Sequence, residues 1–252
     1  RTKPRGTAIQ LEPFRERAVR VVIDRVLAGA QGSVWLEPAD LATVLRAAGI
    51  EFANGEMVLP ATVSRSVETA GRLGYPLVAK AIAPGLLHKS DVGGVILGLS
   101  SAKDVEGAVA ALEGRMKAAG LKLDGVFLQR EVCGGIEALV GVTADPTFGP
   151  LVVCGLGGVL VELLKDVSFR LPPVSDADAE EMLSKLRSRK ILDGYRGAPP
   201  GDRQALVTLI QRVSALVEAA PEILEMDLNP VKVLPPGRGV IVVDGRLRVA
   251  RA

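Results

Sequence analysis

The order of the predicted helices and strands constrains the fold of this 252-residue chain more than any single motif. Apolar spacing predicts helices over residues 13–28, 38–48, 64–73, 101–119, 176–187 and 202–219. The predicted strands cover residues 77–82, 95–99, 125–131, 137–143, 151–154, 159–163, 223–228, 231–234 and 240–243. Because strands and helices do not alternate cleanly, the pattern favours an α+β fold with antiparallel sheets over a doubly wound parallel sheet.

Composition limits the classes of protein to which the chain can belong. Hydrophobic residues make up 48% of it and aromatic residues only 3%, which indicates an aliphatic core large enough to fold without disulfides. A net charge of +2 is too small for the electrostatic footprint of a nucleic-acid-binding domain. No apolar run reaches the roughly 20 residues that span a bilayer, and no secretory signal is visible. We therefore expect no nucleic-acid or membrane partner.

The two cysteines indicate a reducing compartment. Cys133 and Cys154 are too few for a disulfide framework, and no other cysteine or second histidine is present to complete a zinc site. Their apolar neighbours favour small core residues over nucleophiles. These features predict a cytoplasmic protein.

His88 is the only histidine, and it lies in the segment Gly85-Leu86-Leu87-His88-Lys89-Ser90-Asp91-Val92-Gly93-Gly94. An imidazole nitrogen can act as a base, a metal ligand or a phosphate acceptor near neutral pH. A single loop histidine is more often solvated or caps a turn. The flanking charges and the glycine pair favour a phosphate neighbourhood, because they combine charge with backbone freedom.

Two strand ends carry polar side chains that suit a nucleotide. Lys80 ends an otherwise apolar strand, so its ammonium group either reaches water or meets an anion. A second apolar strand ends in Gln129-Arg130-Glu131, which offers backbone groups and a carboxylate to a purine and its ribose. Each pattern also has an ordinary structural explanation, a solvated lysine in the first case and a plain strand end in the second.

Oxygen ligands for a metal ion occur near the end of the chain. Asp227-Leu228-Asn229-Pro230 is followed by Asp244, and the predicted strands between them would place Asn229 beside Asp244. One amide oxygen and one or two carboxylates are the ligands that Mg²⁺ prefers, with nucleotide phosphates filling the other positions. Taken alone, the first segment would be only a turn.

The ordered set of these segments resembles one family. Along the chain lie Lys80, then residues 88–94, 129–131, 137–141, 145–150, 155–158, 165–170 and 227–230. Together they resemble the ATP-grasp domain of ADP-forming (NDP-forming) acyl-CoA synthetases, such as acetyl-CoA synthetases. These enzymes belong to the succinyl-CoA synthetase superfamily, and the resemblance is to their β-subunits. It runs from about residue 38 to residue 250.

The resemblance implies an α+β ATP-grasp fold in which two α/β lobes clamp a nucleotide, preceded by an N-terminal helical extension. Residues 1–37 would be a linker and an N-terminal helix, and residues 38–252 the ATP-grasp domain. One lobe would cover roughly residues 60–132, and the other residues 133–252 together with 38–59.

The resemblance also implies a role for each candidate side chain. Lys80 would bind nucleotide phosphates, and His88 matches the family position that takes a phosphoryl group. The residues implied for the hinge against adenine and ribose are Gln129, Arg130, Glu131 and Val132, with Glu137 as a further contact. Those implied for Mg²⁺ are Asn229 and Asp244, with Asp227 close by.

The implied reaction is acyl-CoA + ADP + phosphate ⇌ acid + CoA + ATP, with a phosphohistidine relay. ATP and ADP are then substrates and Mg²⁺ is the cofactor. CoA-binding and ligase domains, from the same longer chain or from an α-subunit, would complete an oligomeric enzyme. The alternative is an ATP-grasp regulatory or structural module of a protein-lysine acetyltransferase fusion. The acyl substrate and the choice between ADP and GDP are not determined by these residues.

Overall fold

The computed structural model describes residues 14–86, 89–157 and 165–251. They form two compact units: a smaller one of residues 53–133, and a larger one that combines the chain before residue 53 with the chain after residue 133. Three predictions lie outside the described residues: the linker over residues 1–12, His88, and the strand over residues 159–163.

The elements follow one another without a repeating order. They are α1 (Glu16–Ala28), β1 (Val34–Trp35), α2 (Pro38–Ala47), β2 (Gly55–Val58), α3 (Val63–Leu73), β3 (Leu77–Ile82), a 3-10 turn (Lys89–Val92), β4 (Val95–Leu99), α4 (Ala102–Ala118), β5 (Gly125–Arg130), β6 (Ile136–Asp145), β7 (Gly149–Leu156), β8 (Val167–Arg170), α5 (Asp176–Lys185), α6 (Arg189–Leu192), α7 (Arg203–Ala219), β9 (Ile223–Val233), β10 (Val240–Val242) and β11 (Gly245–Val249). None of the helices in the described residues has the length and apolarity needed to cross a membrane.

The smaller unit is a four-stranded sheet with two helices on one face. Its strand order is β2-β5-β3-β4, and every pair is antiparallel. Alternate residues of β3 and β5, such as Ala79 and Leu128, join a buried core with Leu112 and Met116 of α4. Since successive side chains of a strand point to opposite faces, the residues between them lie on the face away from the helices.

The larger unit is a seven-stranded sheet with helices packed against one face. Its strand order is β1-β11-β9-β6-β7-β8, with β10 added beside β9, and each of these ladders is antiparallel. Alternate residues of the central strands, such as Val140, Met226 and Leu228, share one core with Leu206 and Ile210 of α7. One isolated bridge, between Phe52 and Val242, is parallel, and the antiparallel pairing of all the strand ladders named above confirms the predicted α+β class.

The structure corrects two predicted boundaries. Residues 53–59 belong to the smaller unit rather than to the larger one, because β2 pairs with β5 from Gly55 opposite Gln129 to Val58 opposite Val126. The first helix is an integral part of the larger unit, since α1 contributes Val19 and Ile23 to its core. An ion pair of 2.6 Å between Arg20 and Glu222 further ties α1 to the chain before β9.

Several strands escaped prediction, and the reason differs from one to another. β1, β2 and β8 have two to four residues each, too few for an alternating pattern. β11 has only five residues, two of which are arginines, so its alternation of charged and apolar residues is too short to stand out. The two strands predicted on either side of Pro230 form one strand, β9, because Val231 and Val233 continue its buried face.

Candidate nucleotide and metal site

Lys80 and Gln129 lie on the same face of the smaller sheet, opposite its helices. Lys80 stands beside Phe127 in the β3–β5 ladder, and Val78 stands beside Gln129. The two polar side chains are therefore diagonal neighbours across two strands. Only 6% of Lys80 and none of Gln129 is exposed. The structure thus brings together two residues that were selected from different strands.

The buried amide of Gln129 has one satisfied end and one that makes no hydrogen bond. Its Nε2 donates to the Ala53 carbonyl at 3.2 Å, whereas Oε1 has no hydrogen-bond partner among the described residues. A buried acceptor without a partner costs about 1–3 kcal/mol. A ligand with an N–H group would remove that cost, so this atom supports a binding role for Gln129.

The next residues of the predicted hinge make contacts that stabilise the fold. The Arg130 side chain donates through Nη1 to the Tyr75 carbonyl at 3.1 Å and to the Leu73 carbonyl at 3.3 Å, where α3 ends. Glu131 accepts the Gly98 N–H at 2.9 Å through its carboxylate. Val132 is half-buried just beyond β5. Their side chains are therefore engaged locally.

The chain that follows His88 is anchored to β3, next to Lys80. The Gly94 N–H donates to the Lys89 carbonyl at 2.6 Å, and the Ala81 N–H donates to the Gly94 carbonyl at 2.8 Å. A Cβ on Gly94 would lie 2.9 Å from the Lys89 carbonyl oxygen, and Gly93 has a φ of +64°. The glycine pair is thus required by a tight turn at this point.

Asn229 and Asp244 are neighbours in the larger unit. The Asn229 N–H donates to the Asp244 carbonyl at 3.1 Å, at the point where β9 and β11 diverge. From this point the ladder continues with Leu228 opposite Gly245 and then Asp227 opposite Arg246. The backbones of Asn229 and Asp244 therefore pair at one strand junction, and Asp227 lies two residues away along β9. The Asp244 carboxylate also accepts the N–H of Gly245 at 2.9 Å.

The pKa of Asp227 is raised, chiefly because the carboxyl group is removed from water by burial. The Arg246 guanidinium, whose Nη2 is 3.3 Å from Oδ2 of Asp227, acts in the opposite direction. The nearby carboxylates of Asp244 and Glu225 add to the rise. A bound cation would stabilise the ionised carboxylate that burial and the neighbouring carboxylates disfavour.

These donors fit Mg²⁺ only as a partial set. Within the described ranges, no three His, Cys, Asp or Glu side chains form a group that could hold a metal ion. Two carboxylates and one amide oxygen leave coordination positions to be filled from outside the protein. Mg²⁺ suits that arrangement, since it commonly binds one or two carboxylates and takes its other ligands from water and phosphate.

Glu137 belongs to the larger unit, and its side chain is paired within it. Its Oε1 accepts from Lys232 Nζ at 2.9 Å, directly across the β6–β9 ladder. Its carbonyl accepts the Gly157 N–H at 2.6 Å. A nucleotide contact by Glu137 stays a prediction, because the side chain already has a charged partner.

Sequence reasoning missed Arg246 and treated the two cysteines alike. The alternating arginines of β11 were the signal for Arg246, since one face of a strand repeats every two residues. Cys154 is a core residue, as predicted, and burial raises its pKa to about 12. Cys133 is exposed, so its prediction as a core residue was wrong.

Comparison with known proteins identifies the family. The chain matches the family described as "ATP-grasp domain" over residues 27–249, which is most of its length. It therefore belongs to the ATP-grasp family, as the ordered motifs and the two α+β units had indicated.

Individual relatives narrow the resemblance to one branch. The chain is 45% identical over 206 residues to acetate–CoA ligase [ADP-forming] I of Archaeoglobus fulgidus, a match that covers 79% of this chain and 29% of that protein. It is 36% identical over 229 residues to the β-subunit of acetate–CoA ligase [ADP-forming] II of Pyrococcus furiosus, covering 90% of this chain and 95% of that subunit. This chain thus corresponds to a β-subunit and spans 29% of the single-chain ligase.

A solved structure shows the same fold. It is dinucleotide-forming acetyl-coenzyme A synthetase 1 of Candidatus Korarchaeum cryptofilum, in complex with coenzyme A, Ca-AMPCP and HgCl⁺. The TM-score is 0.82 at 34% identity, and the match covers 92% of this chain and 99% of that one. These matches favour the synthetase over the alternative of an acetyltransferase fusion.

Proposed function

We propose that this chain is the nucleotide-binding part of an ADP-forming acyl-CoA synthetase, which catalyses acyl-CoA + ADP + phosphate ⇌ acid + CoA + ATP. The observation that carries the proposal is the pairing of Asn229 with Asp244 at one strand junction. This backbone pairing supports a metal site, because it makes an amide-bearing residue and a carboxylate-bearing residue neighbours in a chain whose matched relatives are acetate–CoA ligases. The proposal covers acyl substrates in general rather than acetate alone.

In the smaller unit, Lys80 binds nucleotide phosphates through its ammonium group. A cation that is almost wholly removed from water attracts an anion more strongly than an exposed one does. Gln129 offers its unsatisfied Oε1 to a base N–H. Arg130, Glu131 and Val132 contribute backbone groups rather than side chains, since the two charged side chains are held by the fold.

In the larger unit, Asn229 and Asp244 hold Mg²⁺, with Asp227 beside them and Glu137 as a further contact to the nucleotide. The ion, when bound, offsets the negative charge of the phosphates. Asp244 is oriented for this by the Gly245 N–H, which holds one of its carboxylate oxygens. A related enzyme has been solved with Mg-AMPPCP, in agreement with a metal–nucleotide ligand.

His88 carries the phosphoryl group between the acyl site and the nucleotide. Phosphate displaces CoA from acyl-CoA to give an acyl phosphate, and the imidazole nitrogen of His88 attacks its phosphorus while the P–O bond to the carboxylate breaks and the acid leaves. The N–P bond of the phosphohistidine then breaks when a terminal oxygen of ADP takes the phosphoryl group and gives ATP. The Korarchaeum enzyme has been solved with a phosphohistidine segment pointing towards its nucleotide binding site. A partner histidine, if the relay uses two, comes from outside this chain, which has one histidine.

The remaining chemistry requires partners. CoA-binding and ligase domains, in the same longer chain or in an α-subunit, supply the acyl and CoA sites, and the complete enzyme is an oligomer. The P. furiosus relative is itself a β-subunit, which supports such an arrangement. The proposed location is the cytoplasm, which the two free cysteines support, because disulfides are rare in reducing compartments.

Nucleotide binding by the Lys80→Met variant tests the first step. Methionine keeps an apolar strand residue of similar length and removes the charge, so we expect ADP affinity to fall roughly 10- to 100-fold, the value of one charge-assisted contact. Calorimetric titration with ADP and Mg²⁺ measures the affinity. The control is Lys117→Met, the same substitution at an exposed position of α4. Failure of the wild-type chain to bind ADP or ATP would exclude the proposed function.

The His88→Ala variant tests the relay separately. In the complete enzyme it should bind ADP as the wild type does, while phosphoryl exchange falls below detection, because no other imidazole in this chain can replace it. Exchange at the wild-type rate would remove His88 from the mechanism and leave the nucleotide site in place.

A further inference from the structure

One face of the larger sheet carries a cross-strand set of charged side chains beside the chain's only tryptophan. Arg246 faces Asp227 and Arg248 faces Glu225 across β11 and β9, while Trp35 of β1 faces Arg248. These residues alternate with Leu247 and Val249 or with Met226 and Leu228, all of which are buried against the helices. The charged set therefore lies on the face away from the helices.

Arg246 is held from two sides. Its guanidinium carbon lies 5.5 Å from the centre of the Trp35 ring, within cation–π range, and its Nη2 lies 3.3 Å from Oδ2 of Asp227. The side chains of Arg246 and Asp227 are 42% and 31% exposed. An arginine held between a ring and a carboxylate keeps its charge in one place. An unrestrained surface arginine would instead sample many side-chain conformations.

This fixed charge lies within the candidate metal set. Asp227 is two residues from Asn229 along β9, and Arg246 is two residues from Asp244 along β11. With Asn229 neutral, the two carboxylates contribute two negative charges and Arg246 cancels one of them. Mg²⁺ gives up its water reluctantly, so a site with so little net charge attracts the free ion weakly.

We infer that Arg246 is an internal cation that keeps this site from binding a free divalent ion and makes metal binding depend on the nucleotide. The inference rests on the proposed function, because it takes Asn229 and Asp244 as ligands. Nucleotide phosphates restore the negative charge that Arg246 cancels, so the metal enters as its nucleotide complex. Arg246 is not a metal ligand, because a guanidinium group has no lone pair to offer a cation, and it acts through its charge, which Asp227 and Trp35 hold in place.

The test is a titration of the whole chain with Mn²⁺ alone. The electron paramagnetic resonance signal of the unbound ion measures how much Mn²⁺ is bound. In Arg246→Met the apolar stem still covers Trp35 while the charge is lost. A unit charge roughly 7 Å from a divalent ion corresponds to about a sevenfold change in affinity at the dielectric constant of water. We expect Mn²⁺ to bind about sevenfold tighter, and the further gain in Mn²⁺ affinity on adding ADP to shrink by a similar factor.

Two variants separate charge from packing. Arg246→Lys keeps the charge and should bind Mn²⁺ as the wild type does. Arg248→Met removes an equivalent arginine, which also contacts Trp35 at 5.4 Å but pairs with Glu225. It should change Mn²⁺ affinity by no more than about threefold, because it is one strand repeat further from the ligands. Circular dichroism of each variant confirms that it is folded.

The outcomes distinguish the inference from the proposed function. Unchanged or weaker Mn²⁺ binding by Arg246→Met, while the wild type still binds ADP with metal, would overturn the role of Arg246 and leave the function standing. Equal effects of Arg246→Met and Arg248→Met would overturn it as well, since the effect would then be one of general surface charge. A wild-type chain that binds no metal even with ADP would overturn both.

Discussion

The smaller and the larger unit hold their candidate residues in different ways. In the smaller unit, Lys80 and Gln129 are buried, and the turn after His88 is tied by backbone hydrogen bonds. In the larger unit, Asp227 and Glu137 are half-exposed and paired with Arg246 and Lys232. The contrast suits the proposed ligands, because a buried lysine attracts phosphate strongly, whereas a partly exposed ion pair is weak enough for its carboxylate to accept another ligand.

The two units also differ in how their chain is assembled. The smaller one is formed by one continuous stretch, whereas the larger one joins segments far apart in sequence, as in the pairing of Trp35 with Arg248. Its central strands approach so closely that Gly141 leaves no space for a side chain. The larger unit should therefore tolerate fewer substitutions on its sheet than the smaller unit does on its helices.

The largest expected effect tests that difference in packing. A Cβ on Gly141 would lie 2.3 Å from the carbonyl oxygen of Met226 in the neighbouring strand, so Gly141→Ala should lower the free energy of unfolding by about 3 kcal/mol. The matched change is Gly107→Ala at an exposed position of α4, where an added Cβ would have no neighbouring atom within 4 Å. It should raise the free energy of unfolding by about 0.5–1 kcal/mol, because alanine favours helix.

Urea denaturation of both variants measures these changes. Equal changes in the two variants would show that the close approach of β6 and β9 at Gly141 does not limit substitution there, and would break the comparison. If Gly141→Ala does not fold at all, its absence from the soluble fraction beside a folded Gly107→Ala supports the same ranking.

A smaller effect concerns the charge of Asp202 in the larger unit. Burial acts to raise its pKa, but the N–H groups of Ala205, Gly239 and Gly237 donate to the carboxylate and lower the pKa overall. A lowered pKa means that the ionised group stabilises the fold above the ordinary pKa near 4, and that this stability is lost as pH falls through the lowered value. Asp202→Asn should therefore lower the free energy of unfolding by about 1 kcal/mol at pH 7.

The pH dependence of the same variant provides the check. Its difference from the wild type should shrink below about pH 4 and vanish in stronger acid, because the wild-type carboxyl is then neutral too. Asp104→Asn is the counterpart in the smaller unit, where hydrogen bonds from Ser100 lower the pKa of an exposed carboxyl. It should lose less, since solvent screens its charge. A constant difference across pH would show that packing, rather than charge, explains the Asp202 result.

Much of the site was predictable because its residues lie close together in sequence or end adjacent strands. The strand over residues 77–82 and its lysine were predicted at the observed bounds, and the pairing of Asn229 with Asp244 followed from one hairpin-like return of the chain. Arg246 was missed, since a short strand with two arginines has the composition of a loop. The side-chain hydrogen bonds of Arg130 and Glu131 were also missed, because their partners lie more than 30 residues away in sequence.

By itself, the sequence determined the family, the α+β class and the identity of the candidate residues. These depend on the order of motifs and on short-range periodicity, both of which can be recognised in the sequence without knowing any tertiary contact. Only the tertiary structure decided that residues 53–59 join the smaller sheet, that α1 belongs to the larger core, and that Arg246 neutralises Asp227 beside Trp35. The physical reason is that strand register and cross-strand charge pairs arise from long-range packing, which no local pattern records.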